Sequence, residues 1–182
     1  MAILLPDGLA TPALVIDMDV LESNIARMAE ASRVQGFALR PHDKAHKCAQ
    51  IADLQLQAGA PGLSVDTIGE AEAFAQVGVD DLFIAYPVWL DADKAHRLRR
   101  LADDAALKAG VESVEGVQRL GNAVRGSDRP VEVLVEVDSG SRRTGVQPHT
   151  AGQVAKAAAD AGLSVAGVFT FPGHGYGQDA RT

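Results

Sequence analysis

The chain has 182 residues, 47% of them hydrophobic and 23% charged, a composition typical of one globular unit with a sizeable core. Acidic residues outnumber basic ones by 24 to 17, which gives a net charge of −7. This balance, without a long basic block, excludes a general nucleic-acid or anionic-membrane surface. The single cysteine excludes an internal disulfide framework. Without a signal-peptide pattern or an apolar run of about 18 residues, we expect a soluble, cytoplasmic protein.

The first elements predicted along the chain are a strand over residues 11–16 and a helix over 17–34. The apolar face of that helix carries Leu21, Ile25 and Met28. These elements form an N-terminal unit over residues 1–35, and residues 36–182 form the main unit. Its predicted strands cover residues 37–40, 62–65, 82–85, 107–111, 131–137 and 163–171, with room for a helix between successive strands. Glycines at 59, 78 and 162 mark helix-to-strand joints, where a left-handed residue is expected.

Most of these strands are continuous apolar runs, which is typical of parallel strands buried on both faces. Regular alternation of strand and helix predicts an α/β sheet, closed as a barrel or wound as an open sheet. Polar residues follow every strand, in the order His42 and Lys44, Asp66 and Thr67, Tyr86, Glu112 and Ser113, Asp138 and Arg143, His174 and Tyr176. Active sites of such sheets lie at these C-terminal strand ends. Taken singly, Asp66, Thr67 and Ser113 are predicted to be helix caps.

The turn over residues 40–48 concentrates titratable groups between the strand at 37–40 and a predicted helix at 49–58. An ordinary solvated loop is the plain interpretation of such a basic turn. A lysine at the end of a barrel strand, however, suits covalent amine chemistry. Positive charge from Arg40 and Lys47 disfavours the ammonium form of Lys44 and frees its amine to attack a carbonyl. Lys47 itself is predicted to lie in solvent.

The motif Arg40-Pro41-His42-x-Lys44-x-His46-Lys47 resembles the cofactor-lysine motif of the D-threonine aldolase and D-serine dehydratase family. These are fold type III pyridoxal-phosphate enzymes with a barrel of the alanine racemase N-terminal type. The stretches at 11–17, 63–72 and 83–87 are similar to family strands, and Asp-x-Gly-x-x-Arg-x-Gly at 138–145 is similar to its fifth-strand motif. The resemblance implies an α/β fold, a pyridoxal-phosphate-binding (β/α)8 barrel.

The resemblance also implies roles for individual residues. Lys44 would bind pyridoxal phosphate covalently and act as the base at the substrate α-carbon. Arg143 would lie at the cofactor's phenolic oxygen or near the substrate carboxylate, where a guanidinium stabilises negative charge. Phe171 would pack against the cofactor ring, His42 would shape its pocket, and His174 and Tyr176 would face the substrate. The implied activity is that of a lyase, by retro-aldol cleavage or elimination of water from a D-3-hydroxy amino acid.

The chain departs from the family pattern in two ways. Asp43 stands where the family usually has a small or apolar residue, and its carboxylate opposes the effect of Arg40 on Lys44. A full barrel takes about 250 residues, so about six of eight βα units are expected here, in a truncated form. The resemblance places outside the chain the phosphate-binding loops, the ligands for a divalent metal and a C-terminal β domain. It also implies a homodimer for the full-length protein.

Three alternatives stay open at this point. The chain could be an amino acid racemase like alanine racemase, or a pyridoxal-phosphate-binding protein without catalysis. A third alternative treats His42, His46 and Cys48 as metal ligands, because the two histidines have the spacing of a helical pair. Pro41 places His42 before the helix, which disfavours that geometry, and Cys48 is more simply a small packed residue. No metal ligand is therefore assigned.

Overall fold

The structure is a computed structural model that describes residues 7–173, and helices alternate with parallel strands along them. The helices are α1 (Met18–Gln35), α2 (Ala49–Gln57), α3 (Ile68–Gln76), α4 (Ala92–Asp104), α5 (Val114–Ala123) and α6 (Ala151–Asp160), with a 3₁₀ turn at Pro148–Thr150. The strands are β1 (Leu63–Val65), β2 (Asp81–Ile84), β3 (Ala106–Val111), β4 (Glu132–Glu136) and β5 (Ser164–Phe169). The α/β prediction is confirmed, and these strands match five of the predicted ones.

Within residues 7–173, the strands form one parallel sheet in the order β1-β2-β3-β4-β5, so each strand pairs with the next in sequence. A sheet whose order follows the chain has no switch point, which distinguishes it from a doubly wound sheet. Each crossover contains a helix, as parallel neighbours require. The arrangement is that of an incomplete TIM-like barrel, as the sequence predicted.

The strand predicted at residues 37–40 is wrong, although the chain there does reach the sheet. One parallel bridge joins His42 to Ser64 of β1. Ser64 donates its backbone N–H to Pro41 O at 2.7 Å, and Asp43 donates its N–H to Ser64 O at 2.9 Å. Proline has no N–H to extend the ladder, so pairing is limited to this short contact. It nevertheless places the lysine turn beside β1.

The strand predicted at residues 11–16 is also wrong. No strand is assigned there, and the segment has no strand partner among residues 7–173. Leu14 is 94% exposed, so the apolar run that suggested a strand is not buried in the described part of the chain. The helix that follows is as predicted: Asp17 caps α1, accepting the Val20 N–H at 3.1 Å.

Helix starts follow the strand ends closely because the sequence supplies caps there. Thr67 and Glu70 form a capping box on α3, and Ser113 accepts the Gly116 N–H at the start of α5. The cap predictions for Thr67 and Ser113 are therefore confirmed. Glycines 59, 78 and 162 have φ of 102°, 93° and 82°, as predicted for helix-to-strand joints.

The hydrophobic core lies between the sheet and the helices. It is built from buried strand residues such as Leu63, Leu82, Leu107 and Val133 and from one face of each of α3 to α6. By contrast β5 leaves Val168 64% exposed, so the sheet is less covered on that side. Among residues 7–173, no helix combines the length and hydropathy needed to cross a bilayer.

The N-terminal ends of the strands carry a closed set of ion pairs, which we call the lower network: Arg40, Asp81, Lys108 and Glu132. Asp81 accepts from Arg40 at 2.8 Å and from Lys108 at 2.9 Å, and Lys108 also lies 3.2 Å from Glu132. Arg40 therefore faces the end of the sheet opposite to Lys44. The Arg40 guanidinium is thus paired with Asp81 at that end of the sheet.

Candidate active site

The lysine turn runs from His42 to Cys48 and is fixed at both ends. Its start is bonded to β1 through the His42–Ser64 bridge, and Cys48 is the N-cap of α2. Within it, Lys47 donates its N–H to Asp43 O at 2.9 Å and adopts a left-handed φ of 48°. Such a conformation is uncommon for a non-glycine residue. Lys47 pairs with Glu70 at 2.8 Å and is 59% exposed.

Asp66, directly after β1, lies between the side chains of His42 and Lys44. Its Oδ1 lies 3.1 Å from His42 Nε2, and its Oδ2 lies 3.9 Å from Lys44 Nζ. The cap prediction for Asp66 is therefore wrong, because Thr67 takes the cap and Asp66 is left to face the turn. Burial lowers the pKa of His42, and the neighbouring Asp66 only partly opposes that effect. Neutral imidazole is thus favoured at this position.

The Arg143 loop, residues 138–146 after β4, is shaped by hydrogen bonds between its backbone N–H groups and the Asp138 side chain. Asp138 Oδ1 accepts the N–H groups of Gly140 at 2.9 Å and Arg142 at 3.0 Å, and these backbone hydrogen bonds lower the Asp138 pKa. Gly145 has a φ of 96°, and a Cβ there would meet the Asp138 nitrogen at 2.7 Å. Only glycine allows this close approach, which explains the Asp-x-Gly-x-x-Arg-x-Gly spacing.

Two carboxylates support the Arg143 loop from the sheet. Glu112 Oε2 accepts the Gly145 N–H at 2.7 Å, and Glu136 Oε1 accepts from the Thr144 hydroxyl at 2.8 Å. Glu136 is 2% exposed, and its Oε2 has no hydrogen-bond partner among the described residues. Burial raises the pKa of Glu136, and the nearby Glu112 raises it further. The site therefore contains a buried carboxyl group whose pKa is raised.

The lysine turn and the Arg143 loop meet at one aromatic ring. The Lys44 Nζ lies 5.5 Å from the centroid of the Phe171 ring, and the Arg143 guanidinium carbon lies 4.3 Å from it. Arg143 also lies 5.5 Å from the centroid of Tyr86. An open polar cleft of about 580 Å³ adjoins the Arg143 loop. The side chains of Lys44 and Arg143, beside the rings of Phe171 and Tyr86, form a place suited to a flat, negatively charged molecule.

Of the residues predicted for the site, the structure brings together Lys44, Arg143, Phe171 and His42. The assigned roles stay predictions. His174 and Tyr176 lie outside the described residues. His42 and His46 turn to different carboxylates, Asp66 and Asp43. Across residues 7–173 the structure contains no group of three or more His, Cys, Asp or Glu side chains arranged to hold a metal ion.

Sequence reasoning missed the supporting role of Glu136 and the burial of Asp43, which is 0% exposed. A signal for Glu136 was present, because a carboxylate inside the apolar run Val135-Glu136-Val137 is rarely buried without a purpose. Asp43 offered a weaker signal, since its neighbours in the turn are mostly polar. Neither position reveals its partner without the fold.

The fold and the site together define a class of protein: an incomplete TIM-like barrel with a lysine, an arginine and an aromatic ring at its C-terminal strand ends. The family model described as the alanine racemase, N-terminal domain, matches residues 16–182. The chain belongs to this family, and the resemblance stated from the motifs is confirmed.

Similar proteins include an uncharacterised protein of Mycobacterium tuberculosis, 46% identical over 110 residues that cover 60% of this chain and 64% of that protein. D-threo-3-hydroxyaspartate dehydratase of Delftia sp. is 36% identical over 175 residues, covering 94% of this chain and 46% of the enzyme. The crystal structure of D-threonine aldolase from Filomicrobium marinum superposes with a TM-score of 0.85 at 34% identity, covering 88% of this chain and 43% of that one. The chain spans about half the length of these two enzymes.

Proposed function

We propose that this chain carries the lysine-bearing part of a pyridoxal-phosphate-dependent lyase that acts on D-3-hydroxy amino acids. The observation that carries the proposal is the convergence of Lys44 and Arg143 on the Phe171 ring. The names of the aldolase and dehydratase relatives support the reaction class.

The residues of the site fit pyridoxal phosphate in charge and shape. The Lys44 side chain is 43% exposed, and its carboxylate contact at 3.9 Å is longer than a hydrogen bond. Its amine is therefore reachable by an aldehyde. Lys44, His42, Arg143 and Phe171 would hold the group. When bound, it supplies an electron sink for charge that develops at the substrate α-carbon.

The protein's own side chains would orient the reactants and move protons. We assign Lys44 Nζ to proton transfer at the substrate α-carbon, the role of a positioned general base. Asp66 lies between Lys44 and His42, so it orients both without a close ion pair to the amine. Arg143 stabilises negative charge on the reactants through a fixed guanidinium. We keep His174 and Tyr176 as the predicted residues on the substrate side.

A D-amino acid with a hydroxyl on its β-carbon is the proposed substrate class. Two bonds in such a molecule are candidates for cleavage: the α–β carbon bond, and the bond between the β-carbon and its hydroxyl oxygen. Breaking the α–β carbon bond of D-threonine gives glycine and acetaldehyde. Loss of water instead gives an enamine, which takes up one water on hydrolysis and yields 2-oxobutanoate and ammonia. Inversion at the α-carbon without either product would identify the racemase alternative. A product assay with D-threonine therefore separates the three chemistries.

The experiment that tests the site compares Lys44→Ala with Lys47→Ala. The two lysines share one turn, but Lys47 pairs with Glu70, whereas Lys44 lies beside the Phe171 ring. We expect the wild-type chain and Lys47→Ala to develop the visible absorbance of lysine-bound pyridoxal phosphate. Borohydride reduction followed by peptide mass spectrometry should locate the bound group on Lys44, and Lys44→Ala should show neither signal. A band that survives in Lys44→Ala would overturn the proposal.

Binding without turnover is the remaining alternative. A chain that gains the visible band at Lys44 but leaves D-threonine and D-serine unchanged would act as a pyridoxal-phosphate-binding protein. The site assignment would then stand, and the lyase assignment would be wrong.

A further inference from the structure

The residue next to the candidate cofactor lysine is a completely buried carboxylate. Asp43 is 0% exposed, whereas the Lys44 side chain is 43% exposed. Adjacent residues of the turn therefore point in opposite directions, one into the protein and one toward the Phe171 ring. Burying a carboxylate costs free energy unless a partner compensates it. The question is what Asp43 does at that position.

The partner of Asp43 is His46, three residues further along the same turn. Its Nε2 lies 3.1 Å from Asp43 Oδ1, and the His46 side chain is 21% exposed. The other ring nitrogen, Nδ1, accepts the Cys48 N–H at 3.1 Å. A nitrogen that accepts carries no proton, so a singly protonated His46 ring has its proton on Nε2, the atom that contacts Asp43. The contact is electrostatic and lacks hydrogen-bond geometry, because Nε2 and both Asp43 carboxylate oxygens have no hydrogen-bond partner among residues 7–173. The imidazole thus connects Asp43 to the residue that starts α2.

The backbone of Asp43 is fixed at both of its polar groups. Its N–H donates to Ser64 O at 2.9 Å, and its C=O accepts the Lys47 N–H at 2.9 Å. Together with the side-chain contact, these bonds connect β1 through Asp43 and His46 to α2. Lys44 lies within the turn that the bond from Lys47 to Asp43 closes, so the direction of its side chain depends on the conformation of that turn.

We propose that Asp43 and His46 form a buried clamp that positions Lys44, so that both are positioning residues for the lysine chemistry. This inference rests on the proposed function for the identity of the bound group, but the clamp itself is a property of the turn. The clamp fixes the His46 tautomer and the backbone conformation of the turn, which would otherwise be flexible. A lysine held this way presents its amine to the Phe171 ring before any ligand arrives, which lowers the entropic cost of the reaction.

The charges around Asp43 are consistent with a clamp. Burial raises the Asp43 pKa, while His46 and, to a smaller extent, His42 oppose that shift. Lys44 extends toward Asp66 instead. Removing His46 would leave the buried carboxylate without the imidazole it contacts, and removing the Asp43 charge would leave His46 Nε2 without the carboxylate it faces. Each substitution is therefore expected to loosen the turn.

The test measures the rate at which Lys44 captures pyridoxal phosphate, followed by the visible absorbance and confirmed by borohydride trapping. We expect Asp43→Asn to slow capture roughly ten- to hundredfold, the penalty of a small misplacement of a reacting group. Asp53→Asn is the matched control, because Asp53 is an exposed carboxylate on α2 bonded to Gln57. It should capture at the wild-type rate. Equal rates for Asp43→Asn and wild type, with both chains folded, would overturn the proposal.

Two further variants cover the case in which Asp43→Asn does not fold. His46→Gln keeps one donor and one acceptor, whereas His46→Ala removes both. We expect His46→Gln to recover most of the capture rate that His46→Ala loses. If the two variants capture at the same rate, the hydrogen bonds of His46 do not position Lys44 and the clamp is wrong.

A readout without cofactor separates this inference from the proposed function. Nitrogen NMR of the free chain should show His46 with its proton on Nε2, and Asp43→Asn should change that signal. If wild type captures no pyridoxal phosphate but the Asp43-dependent tautomer is observed, the proposed function fails and the clamp stands. If Asp43→Asn leaves the His46 nitrogen signals unchanged, the clamp is wrong, whether or not the chain binds pyridoxal phosphate.

Discussion

The two ends of the same parallel sheet treat charge in opposite ways. At the N-terminal end, the lower network pairs each cation with a carboxylate at 2.8 to 3.2 Å. At the C-terminal end, Lys44 has its carboxylate at 3.9 Å, and Arg143 lies over aromatic rings. The strands between the two ends are apolar and buried. One set of strands therefore presents closed ion pairs at one end and available cations at the other.

The buried carboxyl groups show the same difference. Asp81 in the lower network is partly buried, but hydrogen bonds from Arg40 and Lys108 outweigh that burial and lower its pKa. Glu136 near the Arg143 loop is almost fully buried, and its pKa is raised. Groups whose pKa is lowered by partners stabilise a fold, whereas groups raised by burial cost stability and cluster at functional sites. We infer that the lower network serves stability and the upper end serves chemistry.

The largest effect is expected from removing the Arg143 guanidinium, which tests the contrast between the two ends of the sheet. Arg143→Ala takes away a cation that has no carboxylate within ion-pair distance among residues 7–173, so the loss should affect ligand binding more than stability. We expect the dissociation constant for pyridoxal phosphate to rise roughly a hundredfold, the upper part of the range for losing one hydrogen bond to a charged group. The measurement is an absorbance titration, with the midpoint of thermal unfolding recorded for the same sample.

Arg142→Ala is the control for this experiment. It removes the same charge from the neighbouring position, which is exposed like Arg143. Of the two, Arg143 is the one that lies over the Phe171 ring. Its affinity should stay close to that of wild type. If both variants weaken binding equally, the effect is one of net charge, and the stacked position of Arg143 over Phe171 has no special role.

The second prediction concerns the lower network, where the loss should fall on stability instead. Asp81→Asn removes the negative charge that Arg40 and Lys108 share and replaces one accepting oxygen with an amide donor. Both cations are mostly buried, with 20% and 23% of their side chains exposed. We expect the free energy of unfolding to fall by about 2 kcal/mol, less than for a fully buried pair. Chemical denaturation measures it, and cofactor binding should be unchanged in the folded chain.

Asp80→Asn provides the matched control on the neighbouring residue. Asp80 pairs with Arg129 at 2.6 Å, but the two side chains are 69% and 44% exposed. An exposed pair contributes at most about 1 kcal/mol, so this variant should differ little from wild type. Similar losses at both positions would show that the lower network is no more stabilising than an ordinary surface pair.

The sequence predicted the upper end of the sheet better than the lower end. Lys44, Arg143 and Phe171 follow different strands, and parallel strands bring their C-terminal ends to one edge whatever lies between them. A local pattern was therefore sufficient to bring them together. The lower network depends on contacts such as Arg40 to Asp81, 41 residues apart in sequence. Nothing local to Arg40 indicates that its side chain turns away from the lysine.

The wrong strand at residues 37–40 and the wrong cap prediction at Asp66 have the same kind of cause. Residues 37–40 have the composition of a strand, but Pro41 limits pairing, and the contact with β1 shifts to His42. Asp66 was mistaken for a helix cap because its residue type suits a cap, and only the fold shows that Thr67 occupies that position. Residue type predicts what a side chain is able to do, whereas its neighbours across the sheet determine which role it takes.

The last prediction uses pH and should give the smallest effect. Glu136 has a pKa raised by burial and by Glu112, so the folded chain holds this proton more tightly than the unfolded chain does. By linkage, its contribution to stability is complete below the unfolded pKa of about 4.3 and declines as pH rises through the folded pKa. Asp81 has the opposite sign, because its lowered pKa adds stability that is lost as pH falls through the folded pKa.

Glu136→Gln removes this titration while keeping an oxygen for the Thr144 hydroxyl. We therefore expect the variant to gain stability relative to wild type as pH rises from about 4 to 8, by on the order of 1 kcal/mol. Urea unfolding at a series of pH values measures the difference. Glu115→Gln, at an exposed glutamate paired with Arg119 within α5, should follow the wild-type curve. Parallel curves for Glu136→Gln and wild type would mean that Glu136 ionises at no cost, and the contrast between the two ends of the sheet would then rest on the cations alone.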